Sequence, residues 1–167
     1  MNVIVLDRDP MKVVGMVIRT DTTKSEIPEL WEKFIPRMEE LEENAVPECS
    51  LGICLQDSIE EHDDFTEFSY LAARVVKDDS LIPEGMEYYE VKGGLTAVFT
   101  HVGSLDTLSE TYEYIYEKWL EENEYELAEG DELEWYDSRF IYGDEKSKLD
   151  IHIPVKIKNN SSDIEQL

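Results

Sequence analysis

Apolar residues along this 167-residue chain recur at two periods, and the switching between them sets an element order. Residues 2–7 read as a short leading strand before Asp9-Pro10. Met11 to Thr20, rich in Val, Ile and Met, reads as a full strand. Ile27, Leu30, Trp31, Phe34, Met38 and Leu41 then return at helical spacing; Pro28 suits a first turn, whereas Pro36 bends the helix or ends its regular part. Strands are expected at 50–56 and 65–76, separated by an acidic loop at 57–64. A linker follows at 77–85, then a brief strand at 87–91 broken by Gly93-Gly94, and a longer strand at 95–102. Leu105, Leu108, Tyr112, Ile115, Tyr116 and Trp119 form the apolar stripe of a second helix. A loop at 123–131 leads to strands at 132–137 and 148–158, and the polar residues 159–167 read as a flexible C-terminal tail.

Strand, helix, strand, strand over 11–76 is followed by the same order over 95–158. Two βαββ units of this kind predict an α+β domain with pseudo-twofold symmetry: an antiparallel sheet with two helices on one side and a central ligand cleft between the halves. The expected domain runs over residues 1–158, with repeat one at 11–76 and repeat two at 95–158.

Charge narrows the partners. Fifteen basic residues against forty acidic ones give a net charge of −25. Phosphate backbones and anionic membrane surfaces both select basic patches, so neither nucleic acid nor membrane is an expected direct partner. Such a field favours cationic or neutral ligands. Cys49 and Cys54 match no zinc or redox spacing and read as free thiols. No signal peptide or membrane-length apolar run is found, and the expected location is the cytoplasm. Glu60-Glu61-His62-Asp63-Asp64 contains metal-ligand types without the glycine turn of an EF-hand loop, so no metal is assigned. Nucleophile elbows, phosphate loops and dinucleotide fingerprints are missing, and no cofactor is expected.

The stretch with the most chemical content is Glu132-Leu133-Glu134-Trp135-Tyr136-Asp137. At the period of a strand, Glu132, Glu134 and Tyr136 share one face. A carboxylate among rings is costly to desolvate without a partner; a wet edge strand with an acidic face is the alternative.

Several segments resemble one family: Ile82-Pro83-Glu84-Gly85-Met86, Gly94 to Gly103, Tyr112 to Leu120, Leu133 to Asp137 and Leu149 to Val155, with Lys12 to Gly15 and Phe68 to Ala72 in the first half. Together they are similar to the GyrI-like, or AraC-effector-binding-like, small-molecule-binding domain. The resemblance implies a duplicated βαββ fold whose cleft is lined by aromatics around one buried glutamate, matched here by Glu134. It also implies a stand-alone member, because the chain carries no basic helix-turn-helix or winged-helix segment. Members of that family bind multidrug-type ligands, hydrolyse cyclopropane-containing genotoxins, or are linked to protection of DNA gyrase. The expected function is therefore capture of aromatic, cationic or amphipathic drug-like compounds. A cyclopropanoid hydrolase and an acidic partner of gyrase or another protein are the alternatives.

Three roles are open to Glu134: countercharge to a cation, general base toward water, or structural acceptor from a tyrosine hydroxyl. Tyr70 and Tyr136 are expected as opposed walls, with Phe68 on the face of Tyr70 and Trp119 as a roof. Phe99 and His101 share a strand face, and His101 and His152 are candidate proton carriers. Each of these side chains also has a plain core or surface reading.

Overall fold

The computed structural model describes residues 1–159; most of the tail expected at 159–167 lies outside the described residues. Nine strands and two helical regions form an α+β fold. The strands are β1 (Val3–Arg8), β2 (Met11–Asp21), β3 (Ser50–Glu61), β4 (Thr66–Val75), β5 (Glu87–Val91), β6 (Gly94–Val102), β7 (Tyr125–Leu127), β8 (Glu132–Tyr136) and β9 (Lys148–Ile157). Helix α1 spans Ile27–Phe34 and tightens into a 3-10 stretch, Ile35–Leu41, where Pro36 removes a backbone donor. The second helical region begins with a 3-10 turn, Leu105–Thr107, and α2 (Leu108–Glu113). It passes through a π-helical stretch, Tyr114–Trp119, into a last turn, Leu120–Glu122. Two sequence expectations change. The supposed acidic loop at 57–64 is largely the end of β3, and β7 lies inside the supposed loop at 123–131.

All pairings are antiparallel, and the sheet order is β1-β6-β9-β8-β3-β4-β2-β5, with β7 on β9. Residues directly opposed in such a ladder point to the same side. The registers therefore put Met16, Ala72, Gly52, Glu134, Ile151, Phe99 and Val3 in one row across seven strands on one face. Both helical regions pack on that face. Leu30 and Phe34 pack with Val14, Tyr70 and Ala72, and Ile115 and Trp119 pack with Phe99, Ile151 and Ile153.

The opposite face is buried by curvature. β1 and β2 are joined by Asp9-Pro10 alone yet lie six places apart in the sheet order. At roughly 4.8 Å per strand a flat sheet would hold them almost 30 Å apart, far beyond the reach of two residues. The sheet must curl, and its concave side holds Val13, Leu51, Ile53, Leu71, Ala73, Val91 and Leu133, every one almost fully buried. Among the described residues no helix is long and apolar enough to cross a membrane.

Candidate functional site

β8 supplies the centre of the site. Strand alternation turns Leu133 into the concave core and leaves Glu132, Glu134 and Tyr136 on the helix-bearing face, half-buried. Glu134 accepts two tyrosine hydroxyls: Tyr112 donates to Oε2 at 2.7 Å, and Tyr136 donates to Oε1 at 2.8 Å. Glu132 accepts the Tyr116 hydroxyl at 2.5 and 2.6 Å from its two oxygens. Neither glutamate has a lysine or arginine partner among the described residues. Burial raises the Glu132 carboxyl above its ordinary range, and the Tyr116 hydrogen bond pulls it back in part.

Matching of two repeats explains this pairing. Four residues of α-helix rise about 6 Å, and two residues of strand advance about 6.8 Å. Tyrosines at i and i+4 of the helix therefore meet glutamates at j and j−2 of β8, and the helix runs against the strand. The two rings lie nearly parallel, 13° apart with centroids at 6.3 Å. The π-helical stretch begins between them, so Tyr116 belongs to the widened part of the helix, a local geometry often met at functional sites.

The other wall comes from the first half of the chain. Tyr70, on β4, is 6% exposed, and its hydroxyl accepts a 3.1 Å hydrogen bond from the Trp31 indole of α1. Trp31 also meets Tyr136 edge-on, with centroids 5.6 Å apart at 67°. Gly52 makes this arrangement possible. It pairs with Glu134 on one side and Ala72 on the other, and a Cβ there would lie 1.9 Å from the Tyr70 hydroxyl oxygen. Glycine thus leaves the room into which the Tyr70 hydroxyl reaches. Burial first, and then the charge of Glu134, raise the Tyr70, Tyr112 and Tyr136 hydroxyls well above the usual phenol range, so all three stay protonated. Cys54, opposite Glu132 on β3, is pushed up to about 12 by burial and by Glu132, and remains a thiol. An open depression of about 410 Å³, bordered by Met38, Cys49, Arg74 and Phe140, exposes Tyr136 to solvent.

Of the residues singled out from the sequence, Glu134, Tyr136 and Tyr70 are brought together, with Phe68 packed against the Tyr70 cluster. Trp119 and Phe99 are not walls of this site: they meet edge to face at 4.9 Å in the core of the second half, and Trp119 also stacks on Tyr125. His101 is 2% exposed, and both its ring nitrogens are occupied, Nδ1 by the Thr111 hydroxyl at 2.6 Å and Nε2 by the Ser104 carbonyl at 2.9 Å. It serves structure. His152 lies on the concave face, opposite Leu133. Missing from the sequence reading were Tyr112, Tyr116 and Trp31, all three placed in apolar helix stripes. Their polar tips were the overlooked signal, because a ring bearing a hydroxyl or indole N–H seeks a partner when buried. At the β3–β4 tip, ligand-type atoms of Glu60, His62 and Glu67 lie within 4.8 Å of one another. Arg19 already bridges Glu60 at 3.3 Å and Glu67 at 2.8 Å.

Comparison with known proteins identifies the family and the fold. Residues 1–156 match the family described as the GyrI-like small molecule binding domain. The transcriptional regulator BrlR of Pseudomonas aeruginosa is 36% identical over 152 residues, which cover 90% of this chain and 54% of BrlR; the chain thus spans about half the length of that relative. Among solved structures, SAV2435 bound to tetraphenylphosphonium superposes with a TM-score of 0.73 at 16% identity, covering 93% of this chain and 94% of that one. A hydrolase from Listeria innocua superposes with a TM-score of 0.55 at 11% identity, covering 92% and 91%. At these identities the two structures establish a shared fold.

Proposed function

The chain belongs to the GyrI-like small-molecule-binding family, and we propose that its ligand is held at Glu134, between the two helical regions. The proposed ligands are aromatic cations and amphipathic drug-like compounds with a positive centre. One observation carries this reading: two half-buried glutamates face a ring-lined surface and, among the described residues, have no protein cation on either, only tyrosine hydroxyls. A desolvated carboxylate without a countercharge is costly, and a ligand cation supplies that charge. Tyr136, Tyr112, Trp31 and Tyr70 would add stacking and cation–π contacts of about 0.5–2 kcal/mol each. The tetraphenylphosphonium held by SAV2435 is a ligand of this kind, a positive centre wrapped in rings.

The chain order supports the duplicated βαββ reading as well. β2, α1, β3 and β4 lie on one side of the β3/β8 boundary, and β6, α2, β8 and β9 on the other. Glu134 stands at that boundary, as a site made between two halves would require.

Titration with tetraphenylphosphonium and with a rhodamine dye tests the proposal. Glu134→Gln should weaken both by tenfold or more, and unchanged affinity would remove Glu134 from the site.

A hydrolytic reading draws on the same atoms. The Tyr112 and Tyr136 hydroxyls, 2.7 and 2.8 Å from Glu134, stand where proton donors would be needed. Glu134 would take a proton from water as the oxygen attacks one carbon of a strained three-membered ring, and a tyrosine would return a proton to the carbon released. Turnover separates the two readings: mass spectrometry finding only intact cyclopropanoid after incubation would leave binding alone.

A further inference from the structure

On the opposite, concave face we propose a second, independent site that binds small planar carboxylates, with Arg8 as the anion anchor and Trp135 as the stacking surface. The place is an open depression of about 520 Å³ bordered by Ile4, Leu6, Met11 and Val98, by Arg8, Trp135 and His152, and by the carboxylates Asp7, Asp9 and Asp150. The registers put it behind the sheet: Ile4 opposes Val98, Val98 opposes His152, and His152 opposes Leu133, whose neighbour Glu134 points the other way. Nothing bound at Glu134 reaches it.

Arg8 is anomalous in this chain. The other four arginines, Arg19, Arg37, Arg74 and Arg139, each have a carboxylate within ion-pair distance, as expected where acidic residues outnumber basic ones by forty to fifteen. Arg8 has none among the described residues, although it stands between Asp7 and Asp9 in sequence. Its guanidinium instead donates to the Lys92 carbonyl at 3.0 Å and contacts His152 Nδ1 at 3.2 Å, while its Nε is buried with no partner. Arg74 Nε is also unpartnered, but that guanidinium holds Glu42 at 2.7 Å. Leaving a guanidinium partly desolvated and without a carboxylate partner costs free energy that an anion seated there would offset.

The neighbours complete the site. Burial, reinforced by the Arg8 charge, lowers the His152 imidazole to about 4, so the ring is neutral near pH 7 and accepts from Arg8 at Nδ1. A neutral ring that accepts at Nδ1 carries its proton at Nε2, a second donor with no partner among the described residues. Trp135 lies nearly parallel to that imidazole, 18° apart with centroids at 6.0 Å, and extends a flat surface into the depression. The carboxylates nearby are already committed or solvated. Asp150 is held by Arg139 at 2.6 Å and by the Thr100 hydroxyl at 2.9 Å. Asp131 acts on Arg8 only through space and is bonded by the Gln56 N–H and the Tyr89 hydroxyl. Asp7 and Asp9 stand exposed at the rim. A guanidinium with no carboxylate partner, a planar ring and aliphatic walls match a flat apolar body ending in one carboxylate.

1-Naphthoate and its neutral isostere 1-naphthamide are the probes, titrated by calorimetry and by heteronuclear NMR. Naphthoate should bind at least tenfold more tightly than naphthamide. It should lose tenfold or more in Arg8→Met and stay within twofold in Glu134→Gln. In the unaltered protein its addition should shift the Arg8 Nε–H resonance, a readout that survives should the Met variant fail to fold. Equal affinity for acid and amide, no saturable binding at millimolar naphthoate, an unmoved Arg8 resonance, or loss of binding in Glu134→Gln would each overturn the proposal.

Discussion

The Tyr112 hydroxyl, on the second helix, donates to Glu134 Oε2 at 2.7 Å and so fastens that helix to the middle of the sheet. With the Tyr136 hydroxyl on Oε1, both oxygens of Glu134 are engaged. Tyr112→Phe should cost about 1–3 kcal/mol in urea unfolding, the usual range for losing one partner of a partly buried hydrogen bond. The same change made in a Glu134→Gln background should cost less, because the two side chains act as a pair; equal costs would show that they do not.

Gly52 and Tyr70 make a sharper case. A Cβ at position 52 would lie 1.9 Å from the Tyr70 hydroxyl oxygen and 2.8 Å from the ring carbon bearing it. Gly52→Ala should therefore push Tyr70 away from Trp31, lowering stability by about 1–3 kcal/mol and altering indole fluorescence. Adding Tyr70→Phe should recover part of the loss, since the oxygen goes but the ring carbon stays. Full recovery, or none, would contradict this geometry.

Trp119 is a matter of stability. Packed on Phe99 and Tyr125, it should cost about 3–5 kcal/mol when cut to alanine, seen as a lower urea midpoint. Affinity for an aromatic cation, measured where the variant remains folded, should be unchanged.

Two groups make stability depend on pH, in opposite directions. His152 falls from 6.5 to about 4 on folding, so the unfolded chain binds more protons between those values. Stability contributed by its neutrality is complete above about 6.5 and is lost as pH falls toward 4; the whole effect is on the order of 3 kcal/mol. Glu132 is raised above 4.5 on folding, so here the folded chain binds more protons and stability is lost as pH rises past that value. Across pH 4 to 6.5, His152→Leu should flatten the rise in denaturation midpoint, and Glu132→Gln should steepen it. A slope that neither variant alters would refute both assignments.

Much of this was legible in the sequence, for identifiable reasons. Strand alternation placed Glu132, Glu134 and Tyr136 on one face, because a period of two leaves no other choice. Pro36 marked the end of regular helix, and the structure tightens there into a 3-10 stretch. What stayed hidden depends on distance along the chain. The partners of Glu134 and Glu132 come from residues 112 and 116, whose spacing reports only that they share a helix face. Trp119 shares that stripe yet turns into the core, a distinction set by where the helix sits on β6 and β9. Arg8 stands between two aspartates in sequence, and only the curled sheet reveals that it pairs with neither.

That curl also orders events in time. β1 leaves the ribosome well before its ladder partner among the described residues, β6, whose Phe99 lies opposite Val3. Counted from Arg8 to its partner Gly94, β1 must wait for 86 residues before it can pair. A closure this remote in sequence is paid for in loop entropy before it returns any contact, so it belongs late in folding and slows it. Until then the apolar side chains of β1 are uncovered, and the concave face stands open along the side that β1 will close.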